Sequence, residues 1–311
     1  MKQVLVLHYS QSGQLTEIVN NIVSSLAQGD DVELNFHEMQ LEKNFPFPWK
    51  KEDFFGVFPD TFLQKKQPVK PVPQDILNKK YDLVILGYQV WYLTPSLPVS
   101  SFLKSDYAKT LFKNANVVTV SGSRNMWIMA QEKVKKHLKN LQANLVGNIA
   151  LVDRHVNHIS VITIVRWMFS GKKKRYLGIF PKPGVSQTDI DNATKFGPII
   201  KSHLIQNKFD SLQENLLKHE AVKIKPFLIT VDRKANIIFS KWSTFISKSS
   251  EANTKKRKIL LKMFNVYLLI AIWIISPVVF VLFLLTYLLN IQKIKRQKEY
   301  YASVALLEQI K

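Results

Sequence analysis

Apolar residues recur along the chain as short continuous runs separated by turn-forming residues, and the runs differ in kind between the two ends of the sequence. Residues 3–9, 31–37, 82–87, 116–121 and 145–152 are runs of strand length, rich in Val, Ile and Leu, as in strands covered on both faces. Helical spacing follows over residues 14–28, about 125–141 and about 188–206. Alternation of strands with helices predicts parallel βαβ units, hence an α/β, doubly wound, parallel five-stranded sheet. Near the other end, Val266 to Leu289 is 24 residues without a charge. A helix of that length reaches about 36 Å, enough to cross a hydrocarbon core of about 30 Å.

The strand ends carry the candidate chemistry. After the first strand, Ser10-Gln11-Ser12-Gly13-Gln14-Leu15-Thr16 places hydroxyls and a glycine at a helix start, where backbone N–H groups can close around a phosphate. The turn resembles the flavodoxin-like phosphate loop Ser/Thr-x-Thr-Gly-x-Thr at Ser10, Ser12 and Gly13. Leu15 stands where the last threonine belongs, so one phosphate hydrogen bond falls to Thr16 or to backbone. An ordinary strand-to-helix turn has the same small polar residues, and context decides between the two.

That context is a second run, Gly87-Tyr88-Gln89-Val90-Trp91-Tyr92-Leu93-Thr94-Pro95-Ser96-Leu97-Pro98. It is similar to the flavodoxin-like loop whose aromatic side chain lies against an isoalloxazine ring, with Gln89, Val90, Trp91 and Tyr92 in the matching places. Packing of Trp91 and Tyr92 against the sheet end is the alternative. A third strand ends in Ser121-Gly122-Ser123-Arg124-Asn125. Three loops converging at a topological switch point predict a site for FMN.

The chain has 311 residues, more than one such domain needs, and no cysteine, which removes disulfides, thiolate metal sites and a thiol nucleophile. No metal site is expected. The reading divides the chain into a flavodoxin-like FMN-binding domain over 1–210 with insertions at 40–75 and 153–187, a basic, partly amphipathic connector over 211–262, and a segment 263–311 holding the transmembrane stretch 266–289 and a short basic tail. The first insertion is rich in Pro and Phe, which precludes a long regular element and leaves either an apolar lid over the crevice or a packed surface excursion. In the second, the apolar run 159–169 precedes Lys172-Lys173-Lys174-Arg175 and suits either a membrane surface or burial against the domain.

A net charge of +21 is split almost evenly, +10 over residues 1–210 and +11 over 211–311, so basicity is denser in the C-terminal third. No nucleic-acid-binding signature accompanies it, and an anionic membrane surface is the expected partner. Cations on both flanks of 266–289 leave orientation open, and Pro277 leaves both a kinked single span and a re-entrant hairpin. With no signal peptide before the first strand, the expectation is a cytoplasmic domain anchored to the inner membrane by the C-terminal segment.

His155 and His158, three apart beside the crevice, are the candidate acid/base residues. The runs 9–19, 88–91 and 123–127 together resemble a bacterial family of dialkylresorcinol condensing enzymes from dialkylresorcinol and flexirubin pigment biosynthesis. That resemblance implies a lipid-derived substrate and, as partners, a ketosynthase and an acyl carrier protein. Without cysteine the chain cannot load an acyl group as thiolase-type enzymes do. The expected reaction is instead FMN-dependent oxidative aromatisation of a 2,5-dialkylcyclohexane-1,3-dione. A membrane-anchored NAD(P)H:quinone reductase or electron carrier, and a non-catalytic accessory subunit that recruits a ketosynthase, are the alternatives.

Overall fold

A computed structural model describes residues 1–252 and 254–306; position 253 and the last five residues of the expected basic tail lie outside the described residues. Strand β1 (Lys2–His8) is followed by α1 (Gln14–Leu26), β2 (Val32–Glu38), three short helices α2 (Lys51–Gly56), α3 (Phe58–Phe62) and α4 (Gln74–Leu77), then β3 (Leu83–Trp91) and the two-residue β4 (Thr94–Pro95). Helices α5 (Leu97–Phe102) and α6 (Asp106–Phe112) lead to β5 (Asn116–Ser123), α7 (Ile128–Asn140), β6 (Asn144–Val152) and α8 (Asn157–Ser170). The sheet runs in the order β2-β1-β3-β5-β6, all parallel, with β4 turned back antiparallel onto the end of β3.

Alternation along β1 divides the core. Val4 and Val6 pack with Ile18, Val19 and Ile22 of α1, while Leu5 and Leu7 pack on the other face with Val99, Phe102 and Phe112. Gly87 permits close approach of α1: a Cβ there would lie 2.8 Å from that of His8 and 3.0 Å from Val19 Cγ2. The order in which successive strands are added to the sheet reverses between β1 and β3, the two parallel strands that flank the expected crevice.

Beyond α8 come α9 (Gln187–Asp191), α10 (Phe196–Gln206) and α11 (Leu212–Lys218). Leu212 and Leu216 are fully buried, and Ala150 N–H of β6 donates to the Ala221 carbonyl at 2.8 Å, so the packed body continues past residue 210.

Helix α12 (Pro226–Ser249) then lies antiparallel along an uninterrupted 32-residue helix, Lys255–Thr286, composed of α13 (Lys255–Ile270), a π-helical turn (Ala271–Ile275) and α14 (Ser276–Thr286). Phe227 at the start of α12 meets Phe280 and Phe283, and Trp242 near its end meets Phe264 and Tyr267. The 266–286 stretch thus contains no reversal, and a re-entrant hairpin does not describe it. Its π turn has a local cause. Ser276 N–H donates to the Ala271 carbonyl, five residues back, and the next residue is Pro277, which has no N–H to give Ile272. His158 Nε2–H fills that place at 3.0 Å from the Ile272 oxygen.

After α15 (Ile291–Ala302) the chain returns to the domain. Tyr301 is buried with Trp127, Ile128 and Ile229.

Candidate functional site

The first two strand-end loops and the insertion meet through Gln11. Gln11 N–H donates to Gln89 Oε1 at 3.3 Å, joining the first loop to the second, and Gln11 Nε2 donates to the Pro46 carbonyl at 2.8 Å, joining both to the insertion. Ser10 Oγ accepts from Leu15 N–H at 3.2 Å and closes the turn on itself. Gly13 at the helix start has φ of +80°, a conformation suited to glycine, with nothing within 4 Å of the place a Cβ would take. Gly13, at the N-cap of α1, has no side chain to cap the helix, and Ser10 Oγ takes one first-turn N–H, that of Leu15. The turn therefore presents open backbone donors and the Ser12 hydroxyl at the positive end of a 13-residue helix.

Other residues of this turn face elsewhere. The Thr16 hydroxyl meets His8 Nε2 at 3.1 Å, beneath the turn, so the donor expected to replace the missing threonine is already engaged. The Gln14 side chain pairs with both N–H and C=O of Val185, and Leu15 is buried in the core. Backbone supplies what Leu15 and Thr16 do not.

In the second loop, Tyr92 and Leu93 have φ of +51° and +62° and form the two-residue turn between β3 and β4. Left-handed backbone is costly for such side chains, and two bonds hold it. Tyr92 Oη donates to the Phe54 carbonyl, and Lys133 Nζ donates to the Leu93 carbonyl at 3.3 Å. Burial raises the Tyr92 phenol well above its ordinary range and lowers Lys133 to about 8, the latter opposed by Asp232. Tyr92 is thus part of an aromatic cluster with Phe54 and Phe58. Trp91 is the aromatic that faces the first loop, edge-on to Tyr9 at 5.9 Å. Phe45 and Trp49 of the insertion meet the same indole at 5.5 and 5.2 Å. Trp49 N–H also donates to the Met168 carbonyl of α8 at 2.8 Å, so the insertion lies across the mouth between the aromatic loop and α8. Val90 is half-buried against the core, and Gln89 is the link already described.

The third loop divides in two. Ser121 is fully buried on the face of β5 that carries Thr119, and the Cβ position of Gly122 faces Ile18 of α1, so neither offers a side chain to the opening. Arg124 and Asn125 do, both donating to Asn157 Oδ1 at 2.7 and 3.0 Å. Ser123 Oγ and Asn125 Oδ1 are buried oxygens without a protein partner. Burial lowers the Arg124 guanidinium to about 10, opposed by Asp153, and it remains a cation at neutral pH.

The two candidate histidines separate. His155 Nδ1–H donates to Asp153 Oδ1 at 2.6 Å, and Ser160 Oγ donates to Asp153 Oδ2 at 2.7 Å. Asp153 is fully buried, and its own N–H donates to the Ser123 carbonyl at 3.1 Å, which fixes the pair beside the third loop. His158 instead caps Ile272 and lies 5.1 Å from the Trp273 ring. Sequence reading missed Asp153 and Asn157 as site residues, although an acidic residue at a strand end two positions before a histidine was a usable signal.

The strand order and the reversal between β1 and β3 decide the fold class. The chain has a flavodoxin-like fold. No protein-family model matches it, and no curated protein does. Among solved structures it is similar to a flavoprotein in complex with FMN from Lactobacillus acidophilus NCFM (22% identity, 48% of this chain and 93% of that one, TM-score 0.37). A flavodoxin from the domain Archaea (12%, 66% and 99%, 0.38) and oxidised flavodoxin 1 from Bacillus cereus (11%, 66% and 98%, 0.35) are also similar. Against the flavodoxin-like pattern, the insertion and α12–α15 are additions.

The donor set fits FMN. A helix start with an open glycine at its N-cap suits a terminal phosphate, a flat indole stands at the second loop, and Arg124 with the two unpartnered oxygens offers polar contacts at the third.

Proposed function

We propose that the chain is an FMN-dependent oxidoreductase, attached to a membrane, whose reaction partner is lipid-soluble. The phosphate belongs at Ser10, Ser12 and the backbone of Gly13 and Gln14, and the ring belongs beside Trp91. FMN, when bound, supplies a two-electron centre that accepts or gives hydride. His155, oriented by Asp153, is the group that holds or moves the accompanying proton, and Arg124 balances negative charge on the ring or the substrate.

Two consecutive residues carry the choice of substrate class. Asn157 binds Arg124 and Asn125 at the crevice, while His158 binds the exposed apolar helix. A substrate arriving from lipid is therefore delivered next to the crevice, as a quinone would be.

A second reading, dehydrogenation of a 2,5-dialkylcyclohexane-1,3-dione to a dialkylresorcinol, is favoured by the His155–Asp153 pair. In that reaction His155 would take the proton beside a ring carbonyl, bound FMN would supply the acceptor for the hydride of the neighbouring carbon, and enolisation would complete the aromatic ring. A ketosynthase and an acyl carrier protein would then be the upstream partners.

The experiment is a comparison on the FMN-loaded full chain in detergent. Rapid flavin bleaching by NAD(P)H followed by delivery to a long-chain quinone selects the reductase. Resorcinol formed from the dione, with bleaching by the dione itself, selects the second reading. Bound flavin that reacts with neither would overturn both.

A further inference from the structure

We infer that the apolar helix Lys255–Thr286 lies in the plane of one leaflet of an anionic bilayer, with both of its ends on the side of the folded domain, and does not cross the membrane. The inference rests on the proposed membrane attachment and goes beyond it, because attachment alone leaves the topology open.

Both ends are tied to the same body. At the entry, Arg257 is buried and pairs with Asp60 of α3 at 3.3 Å, and the Phe264 ring stacks on Phe58 at 3.8 Å and 6°. At the exit, Tyr300 Oη donates to Glu132, Gln213 Nε2 donates to the Ala302 carbonyl at 2.8 Å, and Lys135 Nζ donates to the Ala305 carbonyl at 2.9 Å. A crossing would put one of these two attachments on the far side of the bilayer.

Helix α12 makes the same point independently. It runs antiparallel over the length of the apolar helix, so a transmembrane orientation would carry α12 into hydrocarbon with it. Arg233, Lys234 and Lys241 are exposed on α12, and buried Asp232 holds it to the start of α7 through Ile128 and Met129 N–H. Cations without partners in hydrocarbon are strongly disfavoured.

The outer face fits a bilayer surface. Ile259, Met263, Val266, Ile274, Val281 and Leu285 are 50 to 73% exposed along about 39 Å of helix, and Leu269, Val278 and Leu282 widen this surface at 52 to 56%, far more apolar surface than a soluble monomer leaves open. Exposed cations bracket the surface: Lys255, Lys256, Lys258 and Lys262 at the start, Lys293, Lys295, Arg296 and Lys298 beyond the end. Apolar burial of this surface, with cations at the headgroup level on both sides, is the arrangement of an interfacial helix.

The chain has no cysteine, so single introduced thiols report position without background. Full-length Lys113→Cys (domain surface) and Lys298→Cys (after the helix) are added to sealed vesicles of phosphatidylcholine with phosphatidylglycerol and treated with a membrane-impermeant maleimide. Equal labelling at the two sites before detergent is expected. A probe at Ile259→Cys, Ile274→Cys or Leu285→Cys should show the same shallow depth by lipid-borne quenchers. Lys298→Cys protected until detergent, or a depth maximum at residue 274, would overturn the inference in favour of a span. Absence of vesicle binding, with the probes unquenched by any lipid-borne quencher, would overturn membrane attachment itself. FMN content, measured on the same samples, is independent of either outcome.

Discussion

His158 Nε2 lies 3.0 Å from the carbonyl oxygen of Ile272, the oxygen that Pro277 cannot serve within the π turn. One side chain of the crevice helix thereby completes the hydrogen bonding of the apolar helix. Removing a donor from such a carbonyl costs about 1–3 kcal/mol. His158→Ala should therefore lower thermal stability in detergent, while the same change in a Pro277→Ala background, where the backbone N–H returns, should cost little. Equal losses in both backgrounds would show that the proline does not create the vacancy His158 fills.

Asp153 is fully buried and accepts from His155 and Ser160. Asp153→Asn keeps the size but replaces the carboxylate that accepts the His155 Nδ1–H bond. Turnover should fall by about 10²-fold, the scale of a general acid–base contribution, with FMN content unchanged and the pH–rate profile altered. His155→Gln should lose a similar factor. His158→Ala should leave the chemical step within a few-fold of the parent, which separates the two histidines.

Much of this architecture is legible in the sequence. Strands such as Val4–Leu7 are buried on both faces and read as continuous apolar runs, and Gly13 marks its turn because few other residues adopt its φ. What was illegible depends on long-range pairing. Nothing near Thr16 shows that its hydroxyl belongs to His8, and nothing near Tyr300 points to Glu132, 168 positions earlier. Hydropathy registers the length of the apolar helix, which is the same whether it crosses a bilayer or lies in it. The direction is set by the docking of Arg257 and Tyr301.

Asp232 joins α12 to α7 and has its carboxyl pushed from 3.8 to about 7, because burial outweighs the bonds from Met129 and Ile128 and the charge of Lys133. Between those values the folded chain holds a proton that the unfolded chain has lost, so stability falls as pH rises from about 4 to about 7 and is level above. Asp232→Asn still offers an acceptor and removes this slope. Relative to the parent, the variant should gain stability across that window by up to about 1.4 kcal/mol per pH unit, read from denaturant midpoints at pH 5 and pH 8. A difference between the two proteins that does not change with pH would contradict the buried, titrating carboxyl.

In the proposed site the open turn at Gly13 takes the phosphate of FMN while Trp91 meets the ring. Titration of flavin-free full-length protein with FMN and, separately, with riboflavin, followed by quenching of flavin fluorescence, tests it most directly. One FMN per chain is expected, with riboflavin at least 100-fold weaker because it lacks the phosphate, and with Gly13→Val, strained at φ of +80°, reducing FMN to the riboflavin level. Equal affinity for the two flavins, or no quenching by either, would show that the Gly13 turn does not hold the FMN phosphate.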